Sequence, residues 1–228
     1  MTPTVRAALW MIGSIGSFST MAVAGRELSA RFDTFEVMLY RSVIGVIIVL
    51  SLAWATGAWR QINTRNFGLQ LIRNLAHFTG QNLWFLAVSL IPLAQVFALE
   101  FTSPLWVIVL SIFLLGERLT ATRALAAIMG FIGILIVARP DIGSLNTGIL
   151  AAAGCAVFFA LTNVLTKRLT RTQGITTILF YLTTLQLIFG LISAGHDGDI
   201  AGPTVETMPF LLLVGACGLL AHYCLTNA

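Results

Sequence analysis

Charge is what this sequence has least of. Only 10% of its 228 residues are Asp, Glu, Lys or Arg, against about 25% in soluble globular proteins. That scarcity excludes a soluble domain with a charged shell. No aspartate falls within any long apolar run, and neither His77 nor His222 has a metal-binding residue at ligand spacing. A membrane-embedded enzyme needs a catalytic pair or a metal centre, and the pattern offers neither. No catalytic residue, metal or cofactor is therefore expected. The three cysteines (Cys155, Cys217 and Cys224) lie inside apolar runs without a C-x-x-C spacing, and read as buried thiols. A basic patch is absent as well. The net charge is +4, but the Lys and Arg residues are scattered through short connections, which argues against a nucleic-acid partner. No cleavable signal stands out, because the first apolar run is too long and leads straight into others.

Apolar residues, by contrast, make up 57% of the chain, and the mean hydropathy is +0.92. Runs of about 20 apolar residues are long enough to cross a bilayer as helices. Eight such spans are predicted: residues 5–24, 34–56, 67–90, the run from Pro92 to Gly116-Glu117, then 122–138, 148–166, 176–194 and 208–225. The expected fold class is an all-α polytopic membrane protein, with the lipid bilayer as its first partner. Gly148, Ala152, Ala156 and Ala160 form a seam of small residues that allows close helix approach, and seams of this kind permit a homodimer without demanding one.

Counting Lys and Arg in alternate connections predicts the topology. With the N-terminus inside, the cytoplasmic set is Arg6, Arg60, Arg65, Arg118, Arg123, Lys167, Arg168 and Arg171. The outer set is Arg26, Arg31 and Arg139. Positive residues collect on the cytoplasmic side, so the N-terminus is expected in the cytoplasm and the protein in the inner, or plasma, membrane.

The polar residues left inside the spans are candidates for a solute pathway, since an ionisable group in a membrane is expensive unless it faces protein or water. The fourth span carries Glu100 and Pro104. A proline in a helix removes an N–H and crowds the carbonyl four residues back, here that of Glu100, so a helix break and a carboxyl fall together. Glu100 has two readings: a carboxyl bonded to a neighbouring helix for structure, or a group that contacts cargo and exchanges a proton, making the proton a candidate coupling ion. Arg41 is either half of an ion pair, with Glu36 or Glu100, or a pathway group. Arg73 is either an anchor at the cytoplasmic end of the third span or the start of a stripe through His77 and Gln81 to Trp84. That stripe recurs every turn, so it should face the interior. Asn82 and Glu100 reach depths comparable to that of Arg41 at about 1.5 Å per residue. Glu117 reads as a helix-end element beside Arg118 and Arg123.

The sixth span resembles the first. Gly13, Phe18, Val23, Arg26 and Leu28 align with Gly154, Phe159, Val164, Lys167 and Leu169. After a four-residue insertion, Phe35 and Gly45 meet Phe180 and Gly190, and Ala76-His77-Phe78 and Asn82 meet Ala221-His222-Tyr223 and Asn227. His222 thereby joins the pathway candidates. Five spans per repeat is an odd number, so the second copy is expected to be inverted, an arrangement that recurs in transporters. The expected division is 1–140 for a first repeat and 141–228 for an incomplete second one. Copies of spans four and five would follow residue 228, which makes eight of an expected ten transmembrane helices.

Arg73-Asn74, Pro92-Leu-Ala, Ser103-Pro104-Leu, Leu115-Gly-Glu-Arg-Leu119, Gly130-Phe-Ile-Gly133 and Ala138-Arg-Pro140 resemble the EamA repeat of the drug/metabolite transporter superfamily. Arg41 matches a basic position common in that family. The acidic residue often found beside the span-four proline lies four residues earlier here, at Glu100. The resemblance implies ten helices in two inverted five-helix repeats, and a central cavity that moves small organic solutes by alternating access. Both charge signs occur inside the bundle, which favours a zwitterionic or amphipathic cargo, such as an amino acid or related metabolite. The alternative is an inactive fragment or a non-transporting membrane scaffold.

Overall fold

The computed structural model describes residues 2–117, 120–138 and 146–227. Arg118, Leu119, Arg139 and Pro140, which enter the topology and motif arguments above, lie outside the described residues, as does the side chain of Arg123. The described residues form nine α-helices and no strand. They are α1 (Pro3–Leu28), α2 (Thr34–Ala55), α3 (Phe67–Leu90), α4 (Leu93–Glu100), α5 (Ser103–Leu115), α6 (Ala121–Ala138), α7 (Thr147–Thr170), α8 (Ile175–Ser193) and α9 (Met208–Asn227). A single 3-10 turn, Ala58–Gln61, follows α2.

Local signals set the helix ends. Asp33 caps α2 by accepting from the Glu36 N–H at 2.7 Å, and the Glu36 carboxylate accepts from the Asp33 N–H at 2.9 Å, a reciprocal capping box. Asn146 caps α7 through the Ile149 N–H at 3.0 Å. Gly116 closes α5 in the left-handed region, at φ +65°, where a Cβ would be strained. The fourth expected span is interrupted: α4 stops at Glu100, Phe101 and Thr102 turn, and Pro104 lies in the first turn of α5. There its missing N–H leaves no helical hydrogen bond unmade.

Among the described residues, six segments are long and apolar enough to cross a membrane: Thr4–Leu28, Thr34–Ala55, Leu93–Leu115, Thr147–Thr170, Ile175–Ser193 and Met208–Asn227. The protein is a multi-pass membrane protein. All eight expected spans are helical, but two fall outside this set. The apolar stretch of α6 among the described residues is the shorter Ala124–Gly133. At 24 residues, or about 36 Å, α3 has the length but carries too many polar side chains.

The chain packs as two compact units. One comprises residues 1–71 and 172–228, the other residues 72–171. In the first, α1 lies along α9, and α2 packs on α8 and α9. Ser14 Oγ donates to the Ala221 carbonyl at 3.3 Å, and Trp10 meets Tyr223 edge-on at 5.7 Å. Loops tie the ends together. Tyr40 OH donates to the Ala201 carbonyl at 2.7 Å, and Gln173 Nε2 to that of Arg65 at 2.8 Å. In the second unit, α7 packs on α4 and α5, and α6 also lies against these two helices. The small residues of α7 admit large neighbours: a Cβ on Gly148 would sit 2.6 Å from Ile91 Cγ2 and 3.0 Å from Leu90 Cβ.

That contact yields a packing prediction. Gly148→Leu should destabilise the protein by about 1–3 kcal/mol through overpacking, seen as a lower unfolding midpoint in detergent. Gly133→Ala, where a Cβ meets nothing within 4 Å, should be neutral or stabilising by about 0.5–1 kcal/mol. Equal midpoints for the Gly148 variant and wild type would rule out the tight contact.

Candidate functional site

In the second unit, α3 turns a polar face inward. Arg73, Asn74, His77, Gln81 and Trp84 are at most 2% exposed, whereas Ile72 and Leu75 on the other side are more than half exposed. Spacings of three and four residues put the buried set on one face. Arg73 is held at both ends of its guanidinium: Nε donates to Thr166 Oγ1 of α7 at 3.0 Å, and Nη1 to Asn74 Oδ1 at 3.0 Å. One turn on, the His77 ring lies 6.0 Å from that of Phe159 on α7. A further turn on is Gln81, fully buried, whose amide nitrogen and oxygen both lack a hydrogen-bond partner among the described residues. Asn82 Nδ2 donates to the Phe78 carbonyl of its own helix at 2.8 Å, while its oxygen is buried and unbonded among the described residues.

Glu100 ends α4 at the helix break, where Trp84 Nε1 donates to its Oε2 at 2.7 Å. Within this unit, no described cation pairs with it. The α3 stripe thus finishes on the carboxyl at the break, joined to it by an indole N–H. Such a part-buried carboxyl, at the end of a stripe that also carries the unbonded amide of Gln81, is suited to bind a polar solute or to hold and release a proton. Glu117, by contrast, ties helix ends together: Lys167 Nζ lies 2.6 Å from its Oε1 and Arg171 Nη2 4.0 Å.

In the first unit, Arg41 is buried to 6% exposure on α2. Its Nη1 lies 3.9 Å from Met38 Sδ, and its Nε has no partner among the described residues. Glu36, one of its two expected ion-pair partners, is occupied elsewhere, since its two carboxylate oxygens take the backbone N–H groups of Asp33 and Ala201. His222 on α9 is buried and meets the Phe18 ring of α1 edge-on at 5.9 Å.

Sequence reasoning did not single out Gln70, Gln186 or Gly218. Gln70, also fully buried, extends the α3 stripe by one turn, so the periodicity that found His77 and Gln81 reaches it too. Gln186 is a neutral amide in an apolar span, a weaker signal than a charge. Gly218 has significance only because of what it faces across the helix contact.

These features define a membrane protein with buried polar groups beside an interrupted helix. The chain belongs to the EamA-like transporter family, whose model matches residues 5–139. Its relatives include the riboflavin transporter of Brucella anthropi, 31% identical over 224 residues, which cover 96% of this chain and 78% of that protein. The S-adenosylmethionine uptake transporter of Rickettsia bellii is 25% identical over 96% of this chain and 74% of its own length. The pseudopaline exporter of Pseudomonas aeruginosa is 26% identical over 93% and 74%. A solved crystal structure has the same fold, with a TM-score of 0.74 at 22% identity, covering 97% of this chain and 78% of the other.

The indole contact is testable alone. Trp84→Phe keeps the ring and removes the N–H, and should cost about 1–3 kcal/mol by leaving a carboxyl oxygen without its donor. Lys167→Ala, at a half-exposed ion pair, should cost less than about 1 kcal/mol. Thermal unfolding in detergent compares the two. A Trp84 variant no weaker than the Lys167 variant would remove the hydrogen bond from this account.

Proposed function

We propose that the protein is a secondary transporter of a small organic metabolite in the inner (plasma) membrane, with its N-terminus cytoplasmic, and that it works by alternating access rather than as an enzyme. The observation that carries this reading is the stripe of α3 ending on Glu100 at the α4–α5 break. A bilayer penalises such groups, so their retention argues for use. Membership of a family whose relatives carry riboflavin, S-adenosylmethionine and pseudopaline supports a small-solute cargo. Glu100, His77, Gln81, Asn82, Arg41 and His222 are the proposed pathway residues. The cargo is an amino acid or related solute, and Glu100 exchanges the coupling proton.

Two inverted repeats are part of the proposal. In the register given above, Phe18 corresponds to Phe159 and His222 to His77. The ring contacts are exchanged accordingly, His222 with Phe18 at 5.9 Å and His77 with Phe159 at 6.0 Å. Gly190 and Gly45 also correspond. A Cβ on Gly190 would approach Leu39 of α2, and one on Gly45 would approach Thr183 of α8. Reciprocal contacts of this kind are what a two-fold relation between copies produces.

The test is flux in proteoliposomes, with labelled amino acids, riboflavin, S-adenosylmethionine and pseudopaline across a pH series. Glu100→Gln should lower the flux of the accepted solute by about tenfold, equivalent to about 1.4 kcal/mol, and flatten its pH dependence. Unchanged flux with unchanged pH dependence would refute the proton role of Glu100.

A further inference from the structure

The first unit holds a cation that no described residue in it neutralises. Arg41 is 6% exposed, two turns into a helix long and apolar enough to span the membrane. Among the described residues, its hydrogen bonding amounts to one long contact with the Met38 thioether, 3.9 Å from Nη1. Among the described residues of this unit, no carboxylate pairs with it. Asp33 and Glu36 hold the capping box, and Glu36 also accepts from the Ala201 N–H. A buried charge without a partner is costly even after relaxation, so an anion that reached it would be held.

Beside the guanidinium lies a small space, closed in this arrangement to anything larger than water. Arg41, Ser42 and Gly45 from α2, Thr183 and Gln186 from α8, and Gly215 from α9 line a cavity of about 10 Å³, close to the space one water needs. All of these but Arg41 are neutral. The guanidinium meets α9 edge-on, because a Cβ on Gly218 would fall 2.5 Å from Nε, 3.0 Å from Nη2 and 3.2 Å from Cζ. Gly215 is as close to α2, where a Cβ would meet Ile44 Cγ2 at 2.6 Å. The Nε–Nη2 edge is therefore turned toward bare backbone. This edge is the one that takes a carboxylate or phosphate through two parallel hydrogen bonds. Glycine at both positions lets α9 sit closed over it, and a small withdrawal of α9 from α2 would open it.

We infer that Arg41 is an anion subsite, which receives a carboxylate or phosphate group of the transported solute when α9 moves off the glycine contact. The cargo would then be an organic anion or a zwitterion. The source of the anion rests on the transporter reading above, whereas anion binding itself does not.

Binding and flux are measured separately on the full-length protein. In detergent, the unfolding midpoint is followed against succinate, inorganic phosphate, chloride at matched ionic strength, and the uncharged succinamide. Succinate or phosphate should raise the midpoint above chloride and succinamide. Arg41→Gln should abolish the difference, and Arg41→Lys, which keeps the charge but not the fork, should weaken apparent affinity by about tenfold or more. Gly218→Ala retains the arginine and crowds the closed contact, so it should favour the open arrangement and strengthen apparent binding, and the inference stays testable if the Arg41→Gln protein fails to fold. A shift equal for succinate and succinamide, or unchanged in both Arg41→Gln and Gly218→Ala, would overturn the subsite. An Arg41-dependent response as large for chloride as for succinate would overturn its assignment to cargo. Arg41-dependent binding without flux of any solute in proteoliposomes would count against the transporter reading alone. Flux without such binding would count against the subsite alone.

Discussion

A guanidinium, two primary amides and an imidazole on one face of α3 cannot be presented to hydrocarbon. Each would forfeit its hydrogen bonds to water and gain none in return. The fold meets that constraint by burying the whole face from Arg73 to Trp84. Thr166 on α7 fastens one end of the stripe, and Glu100 receives the indole at the other. α3 is consequently the least lipid-like of the long helices while its outer face, with Ile72 and Leu75, remains exposed and apolar.

The helix break serves the same constraint. An uninterrupted helix from Leu93 to Leu115 would have needed an N–H that Pro104 lacks. Ending α4 at Glu100 and restarting at Ser103 moves the proline into a first turn, where no donor is required. The carboxyl is then carried at a helix terminus, within reach of Trp84, instead of on a continuous apolar cylinder. Backbone economy and a polar site coincide at one point of the chain, as in the discontinuous helices of other transporters.

Close packing depends on missing side chains. Gly80 against Phe158 and Phe159, Gly148 against Ile91, and Gly215 against Ile44 each leave no room for a methyl group. In a membrane, association rests on such contacts because lipid tails are as apolar as the helices themselves. Gly218 differs in what it meets, a charged group rather than a hydrocarbon one. Packing and chemistry meet there, and a residue without a side chain sets how near the two helices come to the guanidinium.

By itself the sequence determined the all-helical membrane class, because runs of apolar residues and their breaks are local properties that the bilayer reads directly. The stripe on α3 was equally legible, since helical periodicity places Arg73, His77, Gln81 and Trp84 on one face whatever packs there. The break at Glu100 and Pro104 followed from the proline alone. Partners were not legible. That Arg73 would reach Thr166, 93 residues away, that Glu36 would turn to Ala201 and leave Arg41 unpaired, and that Gly218 would face a guanidinium are contacts between distant segments. Periodicity says which way a side chain points along its own helix. Only the packing of one helix on another decides what it meets.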